Sequence, residues 1–272
     1  MKVTTQKSSG VDYPVRYHLE ADHPLRDLAQ SIAETYLDTI IADMMSHPRS
    51  LQKKIGPSEM GIPCNIRVLH KLAGTEEPPR DNYPWKPAVG TAGHAWLEDV
   101  FRKASEAGQR AQGRWVVEKK YVVGQILGVD HAGSTDLYDE FGNAVIDHKF
   151  IGKNTMKKYR AHGPGPQYRR QAHLYGKAWE DRGYKVKLVM ICFLPREGEL
   201  SDAFIWSEPY DRSVAEETLD RVNRLAELLQ AIGIDAAVSL YPPCDDTWCP
   251  WCGTGSSWPQ RSEPTTTAEL FS

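Results

Sequence analysis

Three charged residues lie among apolar neighbours in GSTDLYDEFGNAVIDHKF, residues 133–150: Asp136, Asp147 and Lys149. Buried charges are costly unless an opposite charge or a metal ion pairs with them. In a strand, side chains alternate between faces, so Asp147 and Lys149 share a face and His148 points to the other. Asp136 precedes the DEFGN turn and can face Asp147 across it.

Converging carboxylates are typical ligands of Mg²⁺ or Mn²⁺. At such a site a metal-activated water attacks a phosphate, and a lysine stabilises the charge that develops on it. A solvent-exposed Asp–Lys hairpin is the alternative.

Two flanking segments carry polar pairs at helical spacing. In GTAGHAWLEDVF, His94 and Glu98 share one helix face. His94 is a candidate metal ligand, and Glu98 can hold a water beside the metal or a second ion. In QYRRQAHLYGKAW, Gln171 and Tyr175 also share a face and can hydrogen-bond a phosphate or the catalytic strand. Taken alone, each pair is more often part of a helix surface.

A basic segment, residues 149–170, lies between the hairpin and the second pair and contains no acidic residue. Its proximity to a metal site favours binding of a phosphate backbone, whereas a solvated loop is the alternative. The predicted DNA contacts are Lys153, Lys157, Lys158, Arg160, Arg169 and Arg170.

Apolar periodicity and turn residues predict the elements that position these groups. Helices are expected at 25–47, from about Ser58 to Gly74, and at 90–107, 166–181 and 212–232. Strands are expected at 115–123, 126–130, 133–139, 143–150, 186–195 and 202–208, with a basic loop from 150 to about 165. This order predicts an α/β fold in which helices flank a mixed sheet.

Four motifs stand in the order G-x₃-H-x₃-E (Gly90 to Glu98), G-x₂-D (Gly133 to Asp136), D-x-K (Asp147 to Lys149) and Q-x₃-Y (Gln171 to Tyr175). Together they resemble the RecB-like branch of the PD-(D/E)XK nucleases over roughly residues 58–252. The resemblance implies a restriction-endonuclease-like mixed-sheet core flanked by helices, after an N-terminal helical region. It also implies a catalytic Lys149, with Gln171 and Tyr175 supporting the site or contacting substrate. The implied metal ligands are His94, Asp136, Asp147 and the backbone carbonyl of His148.

The five cysteines argue against a disulfide framework, because their number is odd and the chain is expected to be cytoplasmic. One early cysteine and a late C-x₄-C-x₂-C run resemble the iron–sulfur subgroup of these nucleases, which includes AddB-type nucleases and the fourth CRISPR-associated protein family. The resemblance implies a structural [4Fe–4S] cluster. Those relatives place the close C-x₂-C pair first, whereas here it comes last, so a Cys₄ zinc site is the alternative. The ligands are Cys64, Cys244, Cys249 and Cys252; Cys192 is predicted to be a core residue.

Composition is ordinary for a globular protein, with 40% hydrophobic and 25% charged residues and a net charge of −3. No run approaches the roughly 18 apolar residues of a membrane span, and the first residues lack the apolar centre of a signal peptide. A helicase phosphate-binding motif is missing, so any unwinding requires a recombination or helicase partner. The predicted divisions are residues 1–57 (helical region), 58–253 (nuclease domain with Cys₄ cluster) and 254–272 (disordered tail).

These observations predict a Mg²⁺- or Mn²⁺-dependent DNA nuclease, and the resemblance implies an exonuclease that degrades single-stranded ends. The alternatives are a nucleic-acid-binding protein of the same fold that no longer cuts or needs a partner, a site-specific endonuclease or junction enzyme, and a zinc-binding interaction protein.

Overall fold

The structure is a computed structural model that describes residues 22–46, 55–77, 85–106 and 113–253. Backbone contacts divide the chain into two compact units. One comprises Met1–Gln52 and Pro79–Ala88, and the other comprises Lys53–Pro78 and Val89–Ser272. The predicted tail, 254–272, lies outside the described residues.

Along the described residues, four helices precede three strands, and two further helices, two strands and a last helix follow. The helices are α1 (Arg26–Ser46), α2 (Pro57–Met60), α3 (Asn65–Leu72), α4 (Trp85–Glu106), α5 (Lys153–His162), α6 (Gly165–Glu180) and α7 (Arg212–Ser239). The strands are β1 (Trp115–Ile126), β2 (Val129–Asp139), β3 (Ala144–Ile151), β4 (Leu188–Pro195) and β5 (Phe204–Pro209). In the described residues, no helix is both long and apolar enough to cross a bilayer.

The strands form one sheet in the order β1-β2-β3-β4-β5. Only β3 and β4 run parallel, and α5 and α6 connect them, as parallel neighbours require a long crossover. The remaining pairs are antiparallel. The prediction of an α/β fold with a mixed sheet between helices, and with a cysteine cluster late in the chain, is therefore confirmed.

Helices cover the sheet on both faces. Leu174 and Trp179 of α6, with Val222 and Leu225 of α7, belong to the largest apolar cluster. On the other face, Phe101 of α4 packs with Leu137, Ile146 and their neighbours. Because side chains alternate between the two faces of a strand, β3 presents Asp147 and Lys149 to the α6 side of the sheet. Ile146, His148 and Phe150 face the α4 side.

Several predicted boundaries are wrong. The strands predicted at 126–130 and 133–139 form one strand, β2, because the chain reverses at Leu127 and Gly128, both with positive φ. The predicted basic loop contains helix α5, which buries Met156 and begins and ends beside Gly152 and Gly163.

Two predicted helices also differ from the structure. The helix expected from Ser58 to Gly74 is split into α2 and α3 at residues 61–64. A Cβ atom at Gly61 would lie 2.4 Å from the backbone oxygen of Gln167, so the chain passes too close to α6 for a larger residue. The last predicted helix continues beyond residue 232 to Ser239, with a break at Gly233 where φ is 77°.

Candidate active site

Strands β2 and β3 separate at the centre of the site. Their ladder runs from Asp139 opposite Ala144 to Leu137 opposite Ile146 and stops there. Beyond it, the Asp136 carboxylate accepts a hydrogen bond from the backbone N–H of His148 at 2.7 Å. A side chain thus replaces the strand partner, and the Asp136 carboxylate lies in the fork between the strands.

Two imidazoles approach this carboxylate. His94 Nδ1 lies 3.2 Å from Asp136 Oδ1, and His148 Nδ1 lies 4.0 Å from Asp136 Oδ2. One ligand atom from each of the three residues lies within 4.8 Å of the others. Burial lowers the pKa of His148 to about 4, so its imidazole is neutral near pH 7 and able to bind a metal ion. The three groups form a site that a divalent cation can occupy.

Packing against the sheet fixes these imidazoles. The His148 ring stacks on Phe101 of α4, with ring centroids 5.6 Å apart. Phe150, two residues further along β3, contacts the His94 ring edge-on at 5.9 Å. A Cβ atom at Gly93 would lie only 2.4 Å from the Phe150 ring, so α4 approaches β3 closely because residue 93 is glycine.

Asp147 and Lys149 form a buried ion pair on the opposite face of β3. Their charged atoms are 2.5 Å apart, and their side chains are 5% and 17% exposed. Burial raises the pKa of Asp147 to about 6, despite the nearby ammonium. Burial opposes the charged form of Lys149, but Asp147 and Asp136 outweigh that effect and raise its pKa. Lys149 is therefore a permanent positive charge beside the fork.

Helix α6 supports this ion pair. Gln171 Nε2 lies 3.5 Å from Asp147 Oδ1 and donates to the Tyr175 hydroxyl at 3.1 Å. Its Oε1 atom is buried and has no partner among the described residues. Burial raises the pKa of Tyr175 to about 12, so its hydroxyl stays protonated. The predicted helical pair thus meets the predicted D-x-K strand.

The predicted DNA-contacting residues divide into two groups. The side chains of Lys153, Lys157 and Lys158 are exposed on α5. The arginines contact the protein instead: Arg160 donates to the backbone oxygen of Asp202, Arg169 pairs with Glu208, and Arg170 donates to the backbone oxygen of Gly61.

Sequence reasoning missed Glu118, which lies on β1 opposite Asp136 of β2. The ladder pairs Val117 with Leu137 and Lys119 with Thr135 but omits the pair between them. Glu118 has a φ of 26°, a left-handed conformation that is rare for a non-glycine residue. A hydrogen bond with the Glu98 carboxyl, added to partial burial, raises the pKa of Glu118. Glu98 thus lies near the fork, and no sequence signal marks the backbone angle that brings Glu118 to it.

The second cluster of candidate ligands consists of four cysteines. Cys64 precedes α3, and its sulfur accepts from the backbone N–H of Arg67. Cys244, Cys249 and Cys252 follow α7, and the sulfurs of all four lie within 4.8 Å of one another. Cys192 is not among them. It lies on β4 beside His148, half-buried, and burial raises its pKa to about 11.

Comparisons with known proteins found structural likeness but no sequence match. Neither the protein-family models nor the curated proteins include a match to the chain. An alkaline exonuclease from Laribacter hongkongensis shares 13% identity, with 69% of this chain and 91% of that one covered and a TM-score of 0.44. The protein SSO0001 shares 15% identity, with coverages of 84% and 98% and a TM-score of 0.45. Likeness at this level does not assign the chain to a family.

Proposed function

We propose that this protein is a divalent-metal-dependent nuclease that hydrolyses DNA phosphodiester bonds. The observation that carries the proposal is the fork between β2 and β3, where Asp136, His94 and His148 converge on one side and the Asp147–Lys149 pair lies on the other. Buried charged groups are costly and contribute little to the stability of a fold, whereas carboxylates that hold a metal ion and a lysine that stabilises charge serve phosphoryl chemistry.

The residues present fit a Mg²⁺ or Mn²⁺ ion. Asp136 and His94 would hold it with either the imidazole or the backbone carbonyl of His148, and Asp147 would join them after turning from Lys149. The ion would supply water activation and charge neutralisation at the phosphate. Lys149 stabilises the negative charge that grows on the phosphate oxygens, and Gln171, which donates to the Tyr175 hydroxyl, lies within reach of the Asp147 carboxylate.

Single-stranded DNA ends are the proposed substrate, and exonucleolytic cleavage is the proposed mode. Support comes from the resemblance of the four motifs to RecB-like nucleases and from the lysines exposed on α5. These lysines belong to a segment without acidic residues, and such a concentration of positive charge favours a phosphate backbone. Tyr168, whose ring centroid is 5.3 Å from Lys149 Nζ, adds an aromatic group beside that path.

The proposed enzyme also has a structural metal centre at its four cysteines. The resemblance favours a [4Fe–4S] cluster, with zinc as the alternative. In either case the metal joins the start of α3 to the segment after α7.

A nucleic-acid-binding protein that does not cut is the second candidate. The observation that favours it is the ion pair itself, because Asp147 is turned toward Lys149 and lies outside the group formed by His94, Asp136 and His148.

The deciding experiment is degradation of end-labelled single- and double-stranded DNA with Mg²⁺, Mn²⁺ or chelator. We expect metal-dependent degradation that Asp136→Ala and Asp147→Ala abolish and that Asp130→Ala retains. Asp130 is the matched control because it lies on β2, as Asp136 does, and its side chain is exposed. Folded wild-type protein that binds labelled DNA yet leaves it intact under every metal condition would favour the second candidate.

A further inference from the structure

The geometry of the four cysteine sulfurs distinguishes the two candidate metals. Cys64 Sγ lies 3.7 Å from Cys252 Sγ and 4.0 Å from Cys249 Sγ. Every separation within the set, including those to Cys244, is within 4.8 Å. The sulfurs therefore surround a small volume.

A single zinc ion fits this volume. Zinc–sulfur bonds of about 2.3 Å in a tetrahedron place the sulfurs about 3.8 Å apart. In a [4Fe–4S] cluster, each cysteine binds a different iron atom, so the size of the cluster is added to the bond lengths and the sulfurs lie farther apart. The observed separations match the tetrahedral ion and are too short for the cluster.

The local backbone brings the last two cysteines together. The run C-x₄-C-x₂-C occurs at zinc sites and in iron–sulfur proteins alike, so the distances between the sulfurs, and not the spacing, distinguish the two metals. The chain turns tightly after Cys249, whose backbone oxygen accepts from the N–H of Gly253 at 2.8 Å. A Cβ atom at residue 253 would lie 2.3 Å from the backbone oxygen of Thr247, so this turn requires glycine. A tight turn between two close cysteines directs both sulfurs to one point.

An aromatic contact fixes the same turn on α3. The Trp251 ring, between the last two cysteines, stacks on His70 with centroids 3.6 Å apart and planes 9° from parallel. The stacked rings thus hold the segment of Cys249 and Cys252 against α3, which follows Cys64.

We propose that Cys64, Cys244, Cys249 and Cys252 bind one zinc ion in a closed tetrahedral site. The site fastens the segment after α7 to the start of α3 and leaves no open position for substrate or redox chemistry. This inference identifies the metal of the proposed structural centre, and it holds whether or not the fork cuts DNA.

The test is the metal content of protein purified without air from cells supplied with both iron and zinc. We expect one zinc ion per chain, no acid-labile sulfide and no visible absorption. Replacement by Co²⁺ should produce the thiolate charge-transfer and visible bands of a tetrahedral sulfur site. A brown protein with about four irons and four sulfides per chain would overturn the proposal.

Three variants assign the zinc to the cysteines. The fork also offers imidazoles, so His94→Ala must retain the zinc and the cobalt bands. Cys249→Ser must lose both, whereas Cys192→Ser must keep them. If Cys249→Ser does not fold, titration of wild-type protein with a thiol-modifying mercurial decides the same point, because zinc release must follow modification of the four ligand thiols. Zinc that remains bound after those thiols are blocked would contradict the assignment.

Discussion

At the scale of single residues, the site depends on which charge faces Asp147. Lys149 pairs with it, Asp136 repels it, and burial favours its protonated form. A proton, the lysine and a divalent cation therefore compete for one carboxylate. The outcome of that competition determines the pH below which the proposed activity falls.

Cleavage is expected to fall as pH falls through about 6, where Asp147 takes up a proton. The folded-state pKa lies above the ordinary value of 3.8, so the proton is held more tightly in the folded protein. The stability contributed by protonated Asp147 is thus complete below that ordinary value and is lost as pH rises through about 6. Because a cation displaces the proton, a higher Mg²⁺ concentration should move the acid limb of kcat/KM to lower pH.

Steady-state kcat/KM values across the acid range at two Mg²⁺ concentrations check this expectation. An acid limb that stays at the same pH at both concentrations would show that Asp147 does not share its carboxylate with the cation.

At this scale, the positions of some residues of the site could be predicted from the sequence and those of others could not. The proximity of His94 to Asp136 and of Asp147 to Lys149 was predictable from the order of the motifs, and the structure places each pair in contact, whereas the roles of these residues stay predictions. Glu118 was not predictable, because its position depends on a left-handed backbone angle and a missing ladder pair. Neither property is encoded in residue type.

At the scale of elements, α4 determines where His94 lies, and its two nearby glycines differ in their surroundings. Gly93→Ala should collide with the Phe150 ring, move α4 from β3 and cost about 1–3 kcal/mol in free energy of unfolding. Because His94 is the next residue, cleavage should fall by more than that loss of folded protein explains. Gly90→Ala meets nothing within 4 Å and should stabilise the helix by up to about 1 kcal/mol.

Urea denaturation and cleavage rates of the two variants test the point. Equal activity of the Gly93→Ala and Gly90→Ala proteins would show that the close approach of α4 does not position His94.

Arg221 connects α7 to the segment between α2 and α3. Its guanidinium donates to the backbone oxygens of Met60 and Ile62 and to Asn65 Oδ1, all at 2.7 or 2.8 Å. Arg221→Leu should lower the free energy of unfolding by about 3 kcal/mol, because these acceptors lose a charged donor.

The exposed Arg224 is the matched control, and Arg224→Leu should change that free energy by less than about 0.5 kcal/mol. Thermal and urea unfolding of the two variants give the comparison. Similar values for both would indicate that the segment before α3 is held by apolar packing alone.

The positions of helices and strands were predictable where one apolar period extends along the segment. The residues of α6 and β4 follow clear apolar periods, and both elements lie within two residues of the predicted positions. Helix α5 was missed because basic residues outnumber its large apolar residues, Met156 and Tyr159, which pack in the apolar cluster of β4. The strand ends near Leu127 were wrong because a leucine with φ of 50° occupies a turn position where glycine is expected.

At the scale of the whole molecule, the four cysteines close the larger unit. Cys249→Ser should cost more than about 4 kcal/mol, since metal binding at such a site is folding free energy. Cys192→Ala, in contrast, removes only a half-buried sulfur and should cost about 1 kcal/mol. Thermal melting with and without a strong zinc chelator should show the same large loss for chelated wild-type protein. A chelator-independent melting curve would mean that apolar packing alone holds these segments together.

The contact between Cys64 and Cys252 joins residues 188 positions apart and encloses every residue of the fork. A chain leaves the ribosome with its N-terminus first, so all the fork residues emerge before Cys252, the last of the four cysteines. The closing step must also overcome the loop entropy of that long intervening segment. A growing chain therefore presents every fork residue before the cysteine site can form, and the proposed nuclease is complete only after residue 252 has left the ribosome.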